Sequence, residues 1–177
     1  MEKPVVFLRG VVTADAEAVA ALYAHHVLHG TASYDTEPPS VDSTRAKIAH
    51  ISGQGWPFLV AVDGRQLLAY AYVTQFRDRA AYRYTCENSI YVHPQHLGRG
   101  IGKVLLRELC IQAEAAGFRQ LVAVIGGAEP ASIALHRACG FELAGRLHAV
   151  GWKKGKWLDS VYMQLALGHG SSKPGDI

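Results

Sequence analysis

Apolar positions in this chain recur either at every second residue or along one side of a helix, and the changes between the two mark out its elements. Val5 to Val11 is apolar and β-branched and predicts a first strand. Thr13 is placed to cap the helix that follows, with Asp15 and Glu17 in its first turn. Ala18, Val19, Leu22, Tyr23 and Val27 make that helix's apolar stripe, and Gly30 ends it. Thr31 to Pro39 is a loop carrying Tyr34, and a second helix starts at Asp42 or Ser43 and runs to about Ser52. Phe58–Val62 and Gln66–Thr74 alternate as strands, joined by Asp63-Gly64, a strong hairpin signal. A charged connection, Phe76 to Ala81, leads into a central strand, Tyr82 to Val92. Helical spacing returns in Gly102–Ala116, stopped by Gly117. Leu121–Ile125 is continuously apolar, as a buried parallel strand should be. Pro130 opens a helix that reaches Cys139 and closes at Gly140. Phe141–Val150 and Lys156–Leu165 read as strands flanking a basic hairpin, Trp152 to Gly155. The order β-α-α-β-β-β-α-β-α-β-β predicts an α/β fold with a mixed central sheet flanked by helices. Residues 1–167 form one domain in this reading, and the Gly-, Ser- and Pro-containing residues 168–177 form a flexible tail.

Composition narrows the function classes. At 177 residues, 49% hydrophobic and 19% charged, the chain has material for one globular core. A net charge of +3 is too mild to argue for nucleic acid, though it does not oppose an anionic ligand. No apolar run reaches the ~20 residues of a bilayer span, and no signal-peptide pattern surrounds Glu2 and Lys3. Cys86, Cys110 and Cys139 are odd in number and widely spaced, which argues against a disulfide framework or a metal site and fits reduced thiols in a cytoplasm.

The chemistry concentrates between Glu87 and Lys103. A strand, Ser89 to Val92, stops at Pro94, and Gly98, Gly100 and Gly102 open the long helix. Such a turn presents unpaired backbone N–H groups at a helix N-terminus, a place for a phosphate, and Arg99 and Lys103 add positive charge. The Walker pattern fails because Leu97 and Val104 stand where it needs Gly and Ser or Thr. The dinucleotide fingerprint fails because its third glycine falls one residue early. By itself the loop is also compatible with a ligand-free connection.

Val92-His93-Pro94 followed by Leu97-Gly98-Arg99-Gly100-Ile101-Gly102 resembles the acetyl-coenzyme A loop of the GNAT N-acetyltransferases, with Leu97 standing where that family usually has Gln or Arg. The likeness is greater to the phosphinothricin and methionine sulfoximine acetyltransferase branch. It is carried by Thr36-Glu37-Pro38, Tyr84 to Val92, Val122 to Ile125, His136 to Phe141 and Gly151-Trp152-Lys153 through Asp159, across roughly residues 5–167. The resemblance implies a GNAT-like fold in which the central strand and the next parallel strand splay apart. It implies acetyl-CoA as co-substrate, with the backbone of Ile90, Tyr91 and Val92, the loop Leu97, Gly98, Arg99, Gly100, Ile101, Gly102 and Lys103, and Ser132 as its contacts. Glu129 stands where the branch usually has Asn, and a carboxylate cannot donate as an amide does.

Acetyl transfer to an amine needs a base for the amine's proton and preorganised donors for the carbonyl oxygen. Glu87 is the carboxylate of the central strand nearest the loop. Pattern alone leans towards a solvated strand carboxylate; the resemblance makes Glu87 the base. For His136 the resemblance implies protonation of the leaving thiolate or help to Glu87, and a polar residue at a pocket edge is the alternative. Cys86 turns to the opposite face from Glu87 and reads as core, and His25-His26 read as ordinary helix residues. The resemblance lines the substrate pocket with Tyr34, Phe76, Arg77, Arg79, Tyr82, Thr85 and Glu87, and arginine suits a carboxylate or phosphinate. The expected activity is N-acetylation of a small amino-acid-like molecule such as phosphinothricin, methionine sulfoximine or methionine sulfone. The alternatives are an acyl-CoA-binding regulatory module and a protein N-terminal acetyltransferase. The resemblance, together with apolar and aromatic material beyond one compact core, notably Trp152 and Trp157, implies a homodimer.

Overall fold

The computed structural model describes residues 6–173, so Val5 and residues 174–177 of the expected tail lie outside it. Seven strands form one sheet in the order β1-β2-β3-β4-β5-β7-β6. They are β1 (Phe7–Gly10), β2 (Phe58–Asp63), β3 (Gln66–Gln75), β4 (Thr85–Val92), β5 (Gln120–Gly126), β6 (Glu142–Lys153) and β7 (Lys156–Ala166). Helices α1 (Ala16–His29), α2 (Val41–Gly53), α3 (Ile101–Ala115) and α4 (Pro130–Ala138) cover its two faces. The element order matches that expected, and among the described residues only β4 and β5 pair in parallel.

Two cores follow from the alternation of the strands. On one face Leu59, Leu68, Val73, Cys86 and Leu121 pack on Leu105, Leu106 and Leu109 of α3. On the other, Val60, Tyr70 and Phe58 pack on Val19 and Leu22 of α1 and Ile48 and Ile51 of α2. Cys86 is therefore core, as expected of a residue facing away from Glu87, and burial pushes its thiol far above the ordinary range.

Several boundaries move, each for a local reason. Asp15, not Thr13, organises the start of α1: its carboxylate accepts the Val12 N–H at 2.8 Å and pairs with Arg9 at 2.7 Å. Ser40 caps α2 by accepting the Ser43 N–H at 3.1 Å, so that helix begins at Val41. The β2–β3 turn sits one residue later than read, because Asp63 still pairs with Gln66 and Gly64 takes φ +56°. β4 starts at Thr85 rather than Tyr82, because Ala80–Tyr82 form a 3-10 turn braced by the Phe76–Tyr82 ring contact. The last hairpin is tighter than read: Trp152 and Lys153 pair with Trp157 and Lys156. That leaves a two-residue turn, Lys154-Gly155, with φ of +52° and +72°, which suits the twist of the flanking strands. Residues 168–173 fold as turns against Gln120 and Glu114, with Gly170 buried.

Candidate active site

The site exists because β4 and β5 part company. Their parallel register runs from Thr85↔Gln120 only to Asn88↔Ala123, although both strands continue. Odd-numbered β4 residues turn their backbone groups to β3: the Thr85 C=O accepts the Phe76 N–H and the His93 N–H donates to the Leu68 C=O. Even-numbered residues face the other way, as the Tyr84 C=O does in accepting from Arg119 and Gln120. Past Asn88, then, Ile90 and Val92 turn their backbone groups into the gap with no strand opposite. Tyr91, expected to offer its N–H with them, turns that group to β3, and its ring packs at 5.0 Å on Tyr23.

The gap widens into a cavity of about 230 Å³ whose lining includes Tyr23, Tyr34, Asp35, Glu87, Asn88, Ser132 and His136. Glu87 is half-buried on the α1/α2 side of β4; burial raises its pKa, and the charge of Arg77 partly opposes the rise. A carboxylate held in this way is a better proton acceptor than one in water. Asn88, next along the strand, faces α4 and hydrogen-bonds His136 at 3.0 Å through its Nδ2. His136 is buried, its Nδ1–H donates to the Ser132 C=O at 2.8 Å, and burial lowers its pKa. The expected assistance of His136 to Glu87 finds no hydrogen bond to carry it: the two lie on opposite faces of β4 and both ring nitrogens are engaged elsewhere.

The glycine loop forms the amide-rich end. Pro94–His96 make a 3-10 turn, then Gly98 (φ +73°) and Gly100 (φ +80°) adopt the left-handed conformation that swings the chain into α3. Gly100 is the N-cap residue, and the N–H groups of residues 98–102 find no backbone acceptor among the described residues. Leu97, Gly98, Arg99, Gly100 and Lys103 are exposed, whereas the Ile101 side chain is core and contributes only its backbone here. Gly102 lets the helix start approach Val92 and Leu135, since a Cβ would stand 3.3 Å from Leu135 and 3.4 Å from Val92. This end fits a pyrophosphate and its chain: a cradle of bare N–H groups, then the β4 edge at Ile90 and Val92 that no strand pairs.

The roof is the loop after α1. Tyr34 donates its hydroxyl to the Asp159 C=O at 2.8 Å and accepts from Ser160 Oγ at 3.0 Å and the Gly127 N–H at 3.3 Å. Its ring lies flat on Gly151, where a Cβ would come within 2.8 Å. Tyr23 joins Ser33 and Asp35 at 2.7 and 2.6 Å, and the buried Lys153 Nζ donates to the Ser33 C=O at 2.7 Å. Glu129 accepts from the Thr31 hydroxyl, so the carboxylate at the family's Asn position clips two loops together. Of the expected pocket residues, Tyr34 and Glu87 line the cavity, while Phe76, Arg77, Arg79, Tyr82 and Thr85 do not. Arg77 is held at the edge by its own neighbour, its guanidinium 4.1 Å from the Phe76 ring.

Sequence reasoning passed over Asn88 and Lys153 and read His26 as an ordinary helix residue. His26 Nε2–H donates to the Val92 C=O at 3.0 Å, placing a helix residue at the mouth of the gap. All three act across long sequence separations, and only the alternation that puts Asn88 opposite Glu87 gave a signal. Among the described residues no cluster of His, Cys, Asp or Glu could hold a metal, and no helix is long and apolar enough to cross a membrane.

The comparisons agree with this geometry. The family described as an acetyltransferase (GNAT) domain matches residues 8–162. A phosphinothricin N-acetyltransferase from Alcaligenes faecalis is 45% identical over 159 residues, covering 89% of this chain and 81% of its own. An L-methionine sulfoximine/L-methionine sulfone acetyltransferase from Salmonella typhimurium is 37% identical, covering 87% and 90%. The crystal structure of a GNAT superfamily phosphinothricin acetyltransferase from Sinorhizobium meliloti, in complex with AcCoA, superposes with a TM-score of 0.94 at 47% identity, covering 97% of this chain and 93% of that one. With a parted β4–β5 pair, a bare-amide loop at the head of α3 and a match over most of its length, the chain belongs to the GNAT acetyltransferase family.

Proposed function

We propose that this chain moves an acetyl group from acetyl-CoA to the α-amino group of a small amino-acid-like acceptor: phosphinothricin, methionine sulfoximine or methionine sulfone. The observation that carries it is the half-buried Glu87, basic through desolvation, set where β4 leaves β5 in a cavity of about 230 Å³. That space suits a small molecule rather than a protein N-terminus. The names of the relatives from Alcaligenes faecalis and Salmonella typhimurium support the same acceptors.

Acetyl-CoA supplies a thioester carbonyl open to attack. The chain's part begins with the amide groups of residues 98–102 and the charges of Arg99 and Lys103, which hold the pyrophosphate, Ser132 being a further contact. The backbone of Ile90 and Val92 lines the arm and offers N–H groups to the carbonyl oxygen. Glu87 takes the proton of the acceptor's ammonium group. The amine nitrogen then bonds to the acetyl carbon as the carbon–sulfur bond breaks; the thiolate, whose pKa is about 8.5, leaves without an enzymic acid and takes up the second proton that the nitrogen sheds in becoming an amide. Arg77, within electrostatic reach of Glu87, and Arg79 draw the acceptor's carboxylate or phosphinate to the mouth, beside Phe76, Tyr82 and Thr85. Tyr34 closes the roof.

We also propose a homodimer in a cytoplasmic setting. β6 is an edge strand that exposes Leu143, Leu147, Val150 and Trp152, with the exposed Trp157 of β7 in T-shaped contact with Trp152. An apolar edge of this kind is a pairing surface, and the three cysteines are free. Light scattering at micromolar concentration should give twice the chain mass; a monomer mass removes the dimer. The activity test compares kcat/KM for the three acceptors with kanamycin, spermidine and a peptide N-terminus. One of the amino-acid analogues should win, and a clear win by a polycation or the peptide defeats the acceptor assignment.

A further inference from the structure

We propose that the side-chain oxygen of Asn88 accepts an N–H of the acetyl donor's pantetheine arm, and that His136 is a positioning residue that aims Asn88. This rests on the reading of acetyl-CoA as donor.

Asn88 is only 6% exposed, lines the cavity, and its Oδ1 has no partner among the described residues. Buried acceptors without partners are uncommon and costly, so each needs an explanation. Two other buried side-chain nitrogens, His96 Nδ1 and Arg119 Nη1, share this condition, but neither lines the cavity.

The amide cannot escape by turning over. The Ser132 C=O lies 2.8 Å from His136 Nδ1, so that nitrogen must carry the proton. His136 is 2% exposed and no carboxylate pairs with it, so a second proton would be an uncompensated buried charge. Nε2 is therefore bare, and it accepts the Asn88 Nδ2–H at 3.0 Å. Turning the amide would set two lone pairs against each other. Phe141, in a T-shaped contact with ring centroids 4.9 Å apart, holds the imidazole in place. A carbonyl on α4 thus dictates, through one histidine, the direction in which a β4 side chain presents its oxygen.

Position then identifies the partner. Asn88 is the last β4 residue in register with β5 and faces α3 and α4, the side that carries the glycine loop. Glu87 faces the other side, so the attacking amine belongs there and the donor's arm belongs with Asn88. The arm carries amide N–H groups, which a bare acceptor recognises. The same geometry removes His136 as the acid for the leaving thiolate, because its one proton is committed to Ser132.

The test is binding, measured by calorimetry without an acceptor amine. Asn88→Leu should weaken acetyl-CoA about 3- to 10-fold and leave adenosine 3′,5′-bisphosphate, which lacks the arm, unchanged. His136→Leu should weaken acetyl-CoA less, and the double variant should bind no worse than Asn88→Leu. At saturating acetyl-CoA, the His136→Leu pH–rate profile should keep its wild-type shape. Unchanged acetyl-CoA affinity in folded Asn88→Leu overturns the proposal, as does an equal loss for the bisphosphate, or a shift confined to the acceptor's KM. Loss of the high-pH limb in His136→Leu overturns the positioning role. If Asn88→Leu does not fold, Asn88→Asp, which keeps an oxygen there, decides: retained acetyl-CoA binding supports the proposal and lost binding defeats it. Failure of wild-type acetyl-CoA binding would instead defeat the donor reading, and failure of acetyl transfer with binding intact would defeat only the acceptor reading.

Discussion

The two walls of the cavity are built by different means. The wall proposed for the donor is mostly backbone: amides 98–102, the β4 edge at Ile90 and Val92 that no strand pairs, and glycines whose positive φ keeps the loop open. The wall proposed for the acceptor is mostly side chain: Glu87, with Tyr34, Tyr23 and Asp35, these three each hydrogen-bonded to another element. A backbone wall tolerates changes of side chain, which is why Leu97 can stand at a usual Gln or Arg position. A side-chain wall fails one residue at a time.

That contrast can be broken at several points. The largest effect belongs to Glu87→Gln, which should lower turnover ~10²–10⁴-fold at pH 7, with the deficit shrinking at higher pH as free amine accumulates. The same variant should melt higher at pH 7. Burial raises the folded-state pKa above 4.5, so the folded protein holds this proton more tightly than the unfolded chain, and stability falls as pH rises through the folded value. Gln imitates the protonated form, and its advantage should vanish below pH 4.5. Near-wild-type rate at pH 7 removes Glu87 as the base. Next comes Gly100→Val. A side chain at φ +80° strains the loop and projects into open space before the bare amides. Acetyl-CoA should bind about 10- to 100-fold more weakly, by titration on protein whose circular dichroism is unchanged. Equal affinity would take the loop out of the site. Arg77→Ala or Arg79→Ala should raise the acceptor's KM several-fold, of the size lost with one exposed charge-assisted contact, while acetyl-CoA affinity stays put. A change in acetyl-CoA affinity alone would place the arginine on the wrong wall. The smallest effect is on stability in acid. His136 and His26 both have pKa values lowered from 6.5 by burial, so stability should fall as pH drops from 6.5 through their folded values. His136→Leu should melt with a shallower loss between pH 7 and pH 5, and an unaltered slope would mean that His136 is not held neutral.

What could be read from residues alone divides along the same line. The donor wall was legible because backbone geometry leaves local marks: Pro94 stops a strand, and Gly98, Gly100 and Gly102 bend the chain into a helix. Glu87 was legible as the carboxylate beside that bend. Asn88 hides because its meaning depends on His136, which lies 48 residues away and meets it only when α4 packs on the sheet. His26 was read as an ordinary helix residue for the same reason, its partner being 66 residues distant. The arginines after β3 announced charge but not direction. Stacking of Arg77 on Phe76 and the 3-10 turn at Ala80–Tyr82 turn that segment along the rim, and no spacing rule predicts this.

Tyr34 carries a consequence for how molecules come and go. Its hydroxyl spends its one hydrogen and both lone pairs on Asp159, Ser160 and Gly127, and its ring is seated on Gly151. A loop fixed this thoroughly has already lost its conformational freedom during folding, so catching a ligand requires no further ordering of the loop. Traffic must then pass end-on, through the opening between β4 and β5, and turnover does not wait on a lid. Hydrogen exchange at the Gly127 amide should therefore be as slow in the free protein as in the ligand-filled one.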